Sequence, residues 1–336
     1  MLNALEKIYD LVSHESSFKN LIHAEVSNEI QKNGRTYPLY SFSIGSDEPT
    51  APVLFLVGGV HGLERIGSQL AWSLLKTTID RLLWDENLNA VFKKIRLVCI
   101  PLLNPFGYVH FSRGNPNGVD LMRNSRIKAI EKTPYLLGGH RLTNKIPWYQ
   151  GTEGVLEKEI QFLENTFHRS TKTSACIVSV DFHSGFGMVD RLWFPFSYTK
   201  SPFAQLTELH TLVHLFEQTH PYHIYKIEPQ SEGYLLNGDI WDQLFLDTYQ
   251  GDPEKVFIPL TLEMGSWNWV RKNPLQIFSK QGIFNPMKEH RIKRTYRRHH
   301  LLFDFLLKAT YSHTAWTQQD QHSRLRHGNL AMDRWY

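Results

Sequence analysis

Cysteine is nearly absent from this sequence. Its 336 residues hold two, Cys99 and Cys176, too few for a disulfide framework. Each sits in an apolar run, Arg96-Leu-Val-Cys-Ile-Pro101 and Ala175-Cys-Ile-Val-Ser-Val180, so both are expected as reduced core residues of buried strands. No apolar stretch approaches the ~18 residues of a membrane span. The N-terminus does not read as a secretory leader, because Leu5, Ile8, Tyr9 and Val12 recur at helical spacing while Glu6 and Asp10 interrupt any apolar region. The expectation is an amphipathic helix on a cytoplasmic protein. Repeats, low-complexity segments and long linkers are lacking too, and 41% hydrophobic residues exclude a disordered chain.

Net charge is small, +4, and uneven. Lys288, Arg291, Lys293, Arg294, Arg297 and Arg298 against Glu289 give residues 288–299 a net +5, so the rest of the chain carries −1. No nucleic-acid motif accompanies this cluster. It reads as the solvated first turns of a helix continuing into the apolar Leu301-Leu-Phe-Asp-Phe-Leu-Leu307, and neither nucleic acid nor a membrane is an expected partner.

Apolar runs bounded by Gly, Pro or Asn occur at Tyr40–Ile44, Val53–Val57, Ile95–Pro101, Cys176–Asp181, Leu192–Phe196, His223–Ile227 and Val256–Glu263. Most are continuous, as in strands covered on both faces. Helical patterns lie between them at roughly 65–82, 155–168, 204–218 and 288–309. Alternation of this kind predicts an α/β fold, a three-layer α/β/α sandwich on a mixed, mainly parallel sheet.

Three strand ends carry the chemistry. Val53-Leu-Phe-Leu-Val-Gly-Gly-Val-His-Gly-Leu-Glu64 runs a buried strand into two glycines, His61 and Glu64, and ligands gather at such carboxyl ends in open α/β sheets. Alone it is weak: with 17 histidines, about one His-x-x-Glu arises by chance. Ile177-Val-Ser-Val-Asp-Phe-His-Ser-Gly185 delivers His183 in the same way, and Phe257-Ile-Pro-Leu-Thr-Leu-Glu-Met-Gly265 delivers Glu263. Two histidines and a carboxylate for a metal, with a further glutamate as base, are the minimum parts of a zinc hydrolase.

The order His61-x-x-Glu64, His183, Glu263 resembles the zinc carboxypeptidase family that includes pancreatic carboxypeptidase A. Asn104-Pro-Phe-Gly107 is similar to its Asn-Pro-Asp-Gly turn, and Arg113-Gly-Asn-Pro-Asn-Gly-Val-Asp-Leu-Met-Arg-Asn124 to its Arg…Asn-Gly-Val-Asp-Leu-Asn-Arg-Asn segment. Tyr234-Leu-Leu-Asn-Gly-Asp-Ile-Trp-Asp242 resembles the Tyr-x-x-x-Gly-Asp-x-x-Asp segment of bacterial members. The likeness spans roughly residues 35–308. It implies one catalytic domain over 35–310, with a helical lead-in at 1–34 and a polar tail at 311–336.

The resemblance implies that His61, Glu64 and His183 hold one Zn2+ per chain and that Glu263 is the general base. It implies that Arg113 stabilises the oxyanion and that Asp120 orients the first histidine, a turn cap being the other role open to Asp120. Arg123 would grip the substrate's terminal carboxylate, with Asn124 beside it and Tyr234 closing over the substrate. Asp181 shares a strand face with His183 and serves either that histidine or a helix N-terminus.

Met122 stands where the family has an asparagine, and methionine donates no hydrogen bond. The expected substrates are short peptides, recycled cell-wall peptides among them. Asp239 or Asp242 either lines a pocket for a basic or diamino side chain or is a turn or cap aspartate. N-acyl amino acids are the alternative substrates, because aspartoacylase and succinylglutamate desuccinylase share the Gly-Gly-x-His-Gly-x-Glu opening.

Overall fold

The continuous apolar runs fold as strands buried on both faces. A computed structural model describes residues 1–14 and 21–336. Helix α1 (Leu2–His14) precedes strand β1 (Ile22–Ser27), the small hairpin of β2 (Gln31–Lys32) and β3 (Arg35–Thr36), and β4 (Leu39–Gly45). Next come β5 (Val53–Gly58), α2 (Arg65–Leu82), α3 (Glu86–Phe92), β6 (Arg96–Ile100) and α4 (Pro105–His110). After a long irregular stretch follow α5 (Lys158–Thr171), β7 (Cys176–Ser184), β8 (Arg191–Phe194), α6 (Leu206–Thr219), β9 (Lys226–Pro229), α7 (Ile240–Gly251) and β10 (Val256–Met264). The chain closes with α8 (Trp267–Lys272), α9 (Glu289–Tyr311), α10 (Thr314–Thr317) and α11 (Gln321–Trp335).

Eight strands form one sheet in the order β1-β4-β6-β5-β7-β10-β8-β9. The centre, β6-β5-β7-β10, is parallel, and antiparallel pairs flank it at β1/β4, β4/β6 and β10/β8. Both faces are covered. Phe55 of β5 packs on Phe167 of α5 and Trp241 of α7, whereas Cys99, in register beside Leu56, faces the Ala71 carbonyl of α2. Alternate residues of a strand point to opposite faces, so α5 and α7 lie on one side and α2 on the other. The expected three layers are present.

Two stretches differ from the sequence reading. Within 1–34, Ile22, Ala24 and Val26 alternate with polar residues, and this period of two makes β1 the sheet's edge strand; residues 15–20 of that lead-in lie outside the described residues. The polar stretch 311–336 is helical and docked, because Trp316, Ala331 and Trp335 are buried among its polar residues. The Trp335 indole donates to the Ile227 carbonyl (2.9 Å) and meets Phe194 edge-on. The basic turns of α9 lie at the surface as expected, with Arg298 on Asp190 and Lys293 on Glu289.

One buried acid of the framework is short of hydrogen-bond partners. Glu159, in the first turn of α5, is buried; its Oε2 accepts from Asn115 Nδ2 (3.1 Å) and its Oε1 has no partner among the described residues. Burial, with Glu157 nearby, pushes its carboxyl up to about 7. The folded chain therefore keeps a proton that the unfolded chain loses, and stability falls as pH rises from about 4.5 to about 7. Glu159→Gln is expected to gain about 3 kcal/mol relative to wild type between pH 4.5 and pH 8 in denaturant unfolding. A constant difference would show that Glu159 is ionised in the fold.

Candidate metal centre and active site

The sheet's switch point builds the site. After β5 the chain crosses to β6 on one side, while β7 lies on the other, and the crevice between β5 and β7 opens at their carboxyl ends. There β5 ends in Gly58-Gly59, with Gly59 at φ +68°, and the turn delivers His61 and Glu64 ahead of α2. Gly67 in the first turn of α2 makes the approach to β7 possible, since a Cβ there would lie 2.2 Å from the Phe182 carbonyl oxygen. The Ser184 N–H then donates to Glu64 Oε2 at 2.9 Å. Glu263 of β10 sits in register with His183 of β7.

Three ligating atoms converge. His61 Nδ1 lies 3.0 Å from Glu64 Oε1 and 3.1 Å from His183 Nδ1, and His183 Nδ1 lies 3.1 Å from Glu64 Oε2. The opposite ring nitrogens face carboxylates: His61 Nε2 is 2.9 Å from Asp120 Oδ1, and His183 Nε2 is 2.9 Å from Asp181 Oδ2. A proton held at each Nε2 leaves both Nδ1 lone pairs turned inward on a buried carboxylate. Such a group repels itself unless a cation stands between its members. The spacings approach the ~3.3 Å edge of a tetrahedron with ~2.05 Å bonds, and the imidazole and carboxylate donors suit zinc. The residues therefore fit the metal. Stripping it is expected to lower the melting temperature by roughly 5–10 °C, read by calorimetry with and without chelator. An unchanged melt after metal loss would mean that protein contacts alone hold the three side chains.

Asp120 organises the surroundings. It caps the short turn Leu121–Arg123, and besides His61 its carboxylate accepts from Arg113 Nε (2.8 Å) and Arg123 Nη1 (2.9 Å). Burial alone would raise its pKa, but Arg113, Arg123 and His61 hold it well below the usual carboxylate range. Arg113 reaches Glu64 Oε1 as well (3.3 Å), and Asn104, which caps α4, donates to the Arg113 carbonyl (3.2 Å). The Asn-Pro-Phe-Gly turn thus positions Arg113.

Glu263 Oε1 accepts from the Phe186 N–H (2.9 Å), and burial, together with the nearby Glu64 charge, pushes its carboxyl up to about 8. Arg113, Arg123, Tyr234 and Glu263 all line one 390 Å³ cleft with the three ligands. Arg123 is 1% exposed; its Nε and Nη2 donate to the Leu137 carbonyl (3.0 and 2.8 Å) and its Nη1 to Asp120. Of five guanidinium N–H groups two are left unengaged, one on each terminal nitrogen.

Comparison with known proteins gives the family. Residues 22–266 match the zinc carboxypeptidase family. The chain belongs to that family. Over 98 residues it is 33% identical to carboxypeptidase SOL1 of Arabidopsis thaliana, a stretch that covers 28% of this chain and only 20% of the plant protein. Among solved structures, the carboxypeptidase A of Helicoverpa armigera superposes with a TM-score of 0.65 at 16% identity, over 93% of this chain and 71% of that one. Thrombin activatable fibrinolysis inhibitor gives 0.63 at 18% identity, over 94% and 74%. At such identities these structures show the shared fold.

Within this zinc carboxypeptidase family member, some expected residues stand elsewhere. Asn124 is not in the cleft: its amide donates to the Gln150 and Val155 carbonyls and its oxygen accepts from the Glu157 N–H, so it braces the loop leading to α5 rather than substrate. Asp239 caps α7 through the Trp241 and Asp242 N–H groups, and Asp242 accepts from the Ser197 hydroxyl and the Ser197 and Tyr198 N–H groups. Both are turn and cap aspartates, outside the cleft lining. Asp181 serves His183, and its Oδ2 also accepts from the Trp241 indole (2.9 Å). Met122 does line the cleft. The Ser184 and Phe186 N–H groups that hold Glu64 and Glu263 carry no side-chain signature in the sequence; Trp193 and Gln230 join the lining from outside every motif, and Thr261 joins it from the strand that delivers Glu263.

Proposed function

We propose that this chain is a zinc-dependent carboxypeptidase that removes the last residue of short peptides. The observation that carries this reading is the Arg123 fork: two unengaged N–H groups on a buried guanidinium, in the same cleft as the metal ligands and Glu263. Parallel N–H groups of this kind match a carboxylate. Zinc bound by His61, Glu64 and His183 supplies Lewis acidity, acidifying water and polarising the scissile carbonyl.

Glu263 takes the proton from the attacking water at its carboxylate and returns it to the leaving amine. The Arg113 guanidinium, fixed by Asp120, faces the oxygen on which negative charge develops. Tyr234, half-buried between Phe186 and Trp193, covers the bound peptide. Two buried reduced cysteines support a cytoplasmic setting, in which the substrates are small peptides such as those recycled from cell walls. No described helix is long and apolar enough to cross a membrane.

The test is a library of short peptides, murein tripeptide and N-acyl amino acids, incubated with zinc-loaded protein and a chelated control and read by mass spectrometry. Loss of C-terminal residues that chelation abolishes is the expected result. Cleavage of acyl amino acids alone would make the chain a deacylase.

A further inference from the structure

One end of the cleft is not used by the chemistry above. Thr261 precedes Glu263 by two residues on β10, so the two share a face, with Thr261 about 7 Å deeper. Trp193 of β8 stands opposite Thr261 in register, and Gln230, which opens the short turn Gln230–Glu232 after β9, lines the same space. Gln230 and Thr261 are each only 7% exposed. Among the described residues, neither the Gln230 carboxamide nor the Thr261 hydroxyl has a hydrogen-bond partner. The walls around them are apolar: Met122, Leu236 and the Trp193 ring, whose indole N–H is turned to Glu228 (3.3 Å).

Both polar groups open onto the cleft, so a bound side chain can replace the water that meets them there. The charge of that side chain is constrained. Glu64 and Glu263 are the carboxylates bordering the cleft; the first is a metal ligand, the second is held by the Phe186 N–H. A cationic side chain at the deep end therefore meets no counter-ion. Of the two cations of the cleft, Arg123 is taken by the terminal carboxylate and Arg113 by the scissile oxygen in the reading above, so an anionic side chain gains none either.

We propose, resting on the carboxypeptidase reading, that this end receives the side chain of the substrate's C-terminal residue and that Gln230 selects glutamine there, asparagine second. Two carboxamides pair head to head through two N–H···O bonds, Thr261 offers a third partner, and the methylene stem lies against Met122 and Leu236. Methionine, of similar shape, leaves Gln230 unpaired, and a site built to hydrogen-bond rejects the analogue lacking the group.

The experiment compares benzoyl-glycyl-X free acids, with X as Gln, Asn, Met, Leu, Lys or Glu, on zinc-loaded wild type, Gln230→Leu and Gln230→Glu, each checked by its melting temperature. In wild type kcat/KM for glutamine is expected to exceed that for methionine and for lysine by about 10- to 100-fold, and free L-glutamine to inhibit more strongly than L-methionine. Gln230→Leu should bring the glutamine-to-methionine ratio to one or below, and Gln230→Glu should move the preference toward lysine. A ratio unmoved in both variants, or a wild-type preference for leucine, methionine or lysine, overturns the proposal and leaves the carboxypeptidase reading intact. Failure to cleave any free acid in the series overturns both.

Discussion

Glutamine in place of Glu263 is expected to leave the metal bound and to remove turnover. Glu263 is outside the ligand set of His61, Glu64 and His183, so metal content should stay near one per chain by elemental analysis. Its backbone contact survives the change, because the amide oxygen of glutamine still accepts the Phe186 N–H. Only the basic oxygen is lost. General-base catalysis contributes roughly 10²–10⁴-fold, and here the same group also returns the proton to the amine, so kcat should fall by about 10³ or more while KM changes little. His183→Ala is the companion, with both metal and activity expected to go. Turnover retained in the glutamine variant would remove Glu263 from the mechanism.

Amidating the C-terminus of a good peptide substrate is expected to lower kcat/KM by about 10²–10³. The change leaves the protein untouched, which matters because Arg123 also ties Asp120 to the Leu137 carbonyl, and replacing it would disturb the support of His61. An amide presents no charge to the two remaining N–H groups, and removing one partner of a buried, hydrogen-bonded charge pair costs about 2–5 kcal/mol. Met122 sharpens the expectation: with no second donor from that side chain, discrimination rests on Arg123. Equal cleavage of acid and amide would show that the fork does not grip a carboxylate, leaving an amidase or deacylase geometry in its place.

The parts legible in the sequence were those set by local rules. Strands β5, β7 and β10 are continuous apolar runs, and helices α2, α6 and α9 follow their periodicity to within a few residues. The four chemical residues at three strand ends could be found without the fold because metal ligation and proton transfer restrict the residue types that suffice, and a motif keeps them in order. Asn124 sits next to Arg123 in the Arg113–Asn124 segment and yet braces a loop, since neighbours in sequence need not face the same way in space. The tail likewise docks through a few anchors, Trp316, Ala331 and Trp335, whose spacing is diluted by polar residues.

The sequence by itself therefore pointed to the reaction class: His61, Glu64 and His183 suit a metal ion, Glu263 suits a base beside it, and the zinc carboxypeptidase family match agrees. Only the tertiary structure decided what surrounds that chemistry. It placed Asp120 at the junction of His61, Arg113 and Arg123, left Asp239 and Asp242 as cap and turn residues, and brought Trp193, Gln230 and Thr261 from separate elements to the deep end of the cleft. The physical reason is that side-chain selection depends on which distant residues share a desolvated space, and that is fixed by sheet register and helix packing, for which no short stretch of sequence carries a pattern.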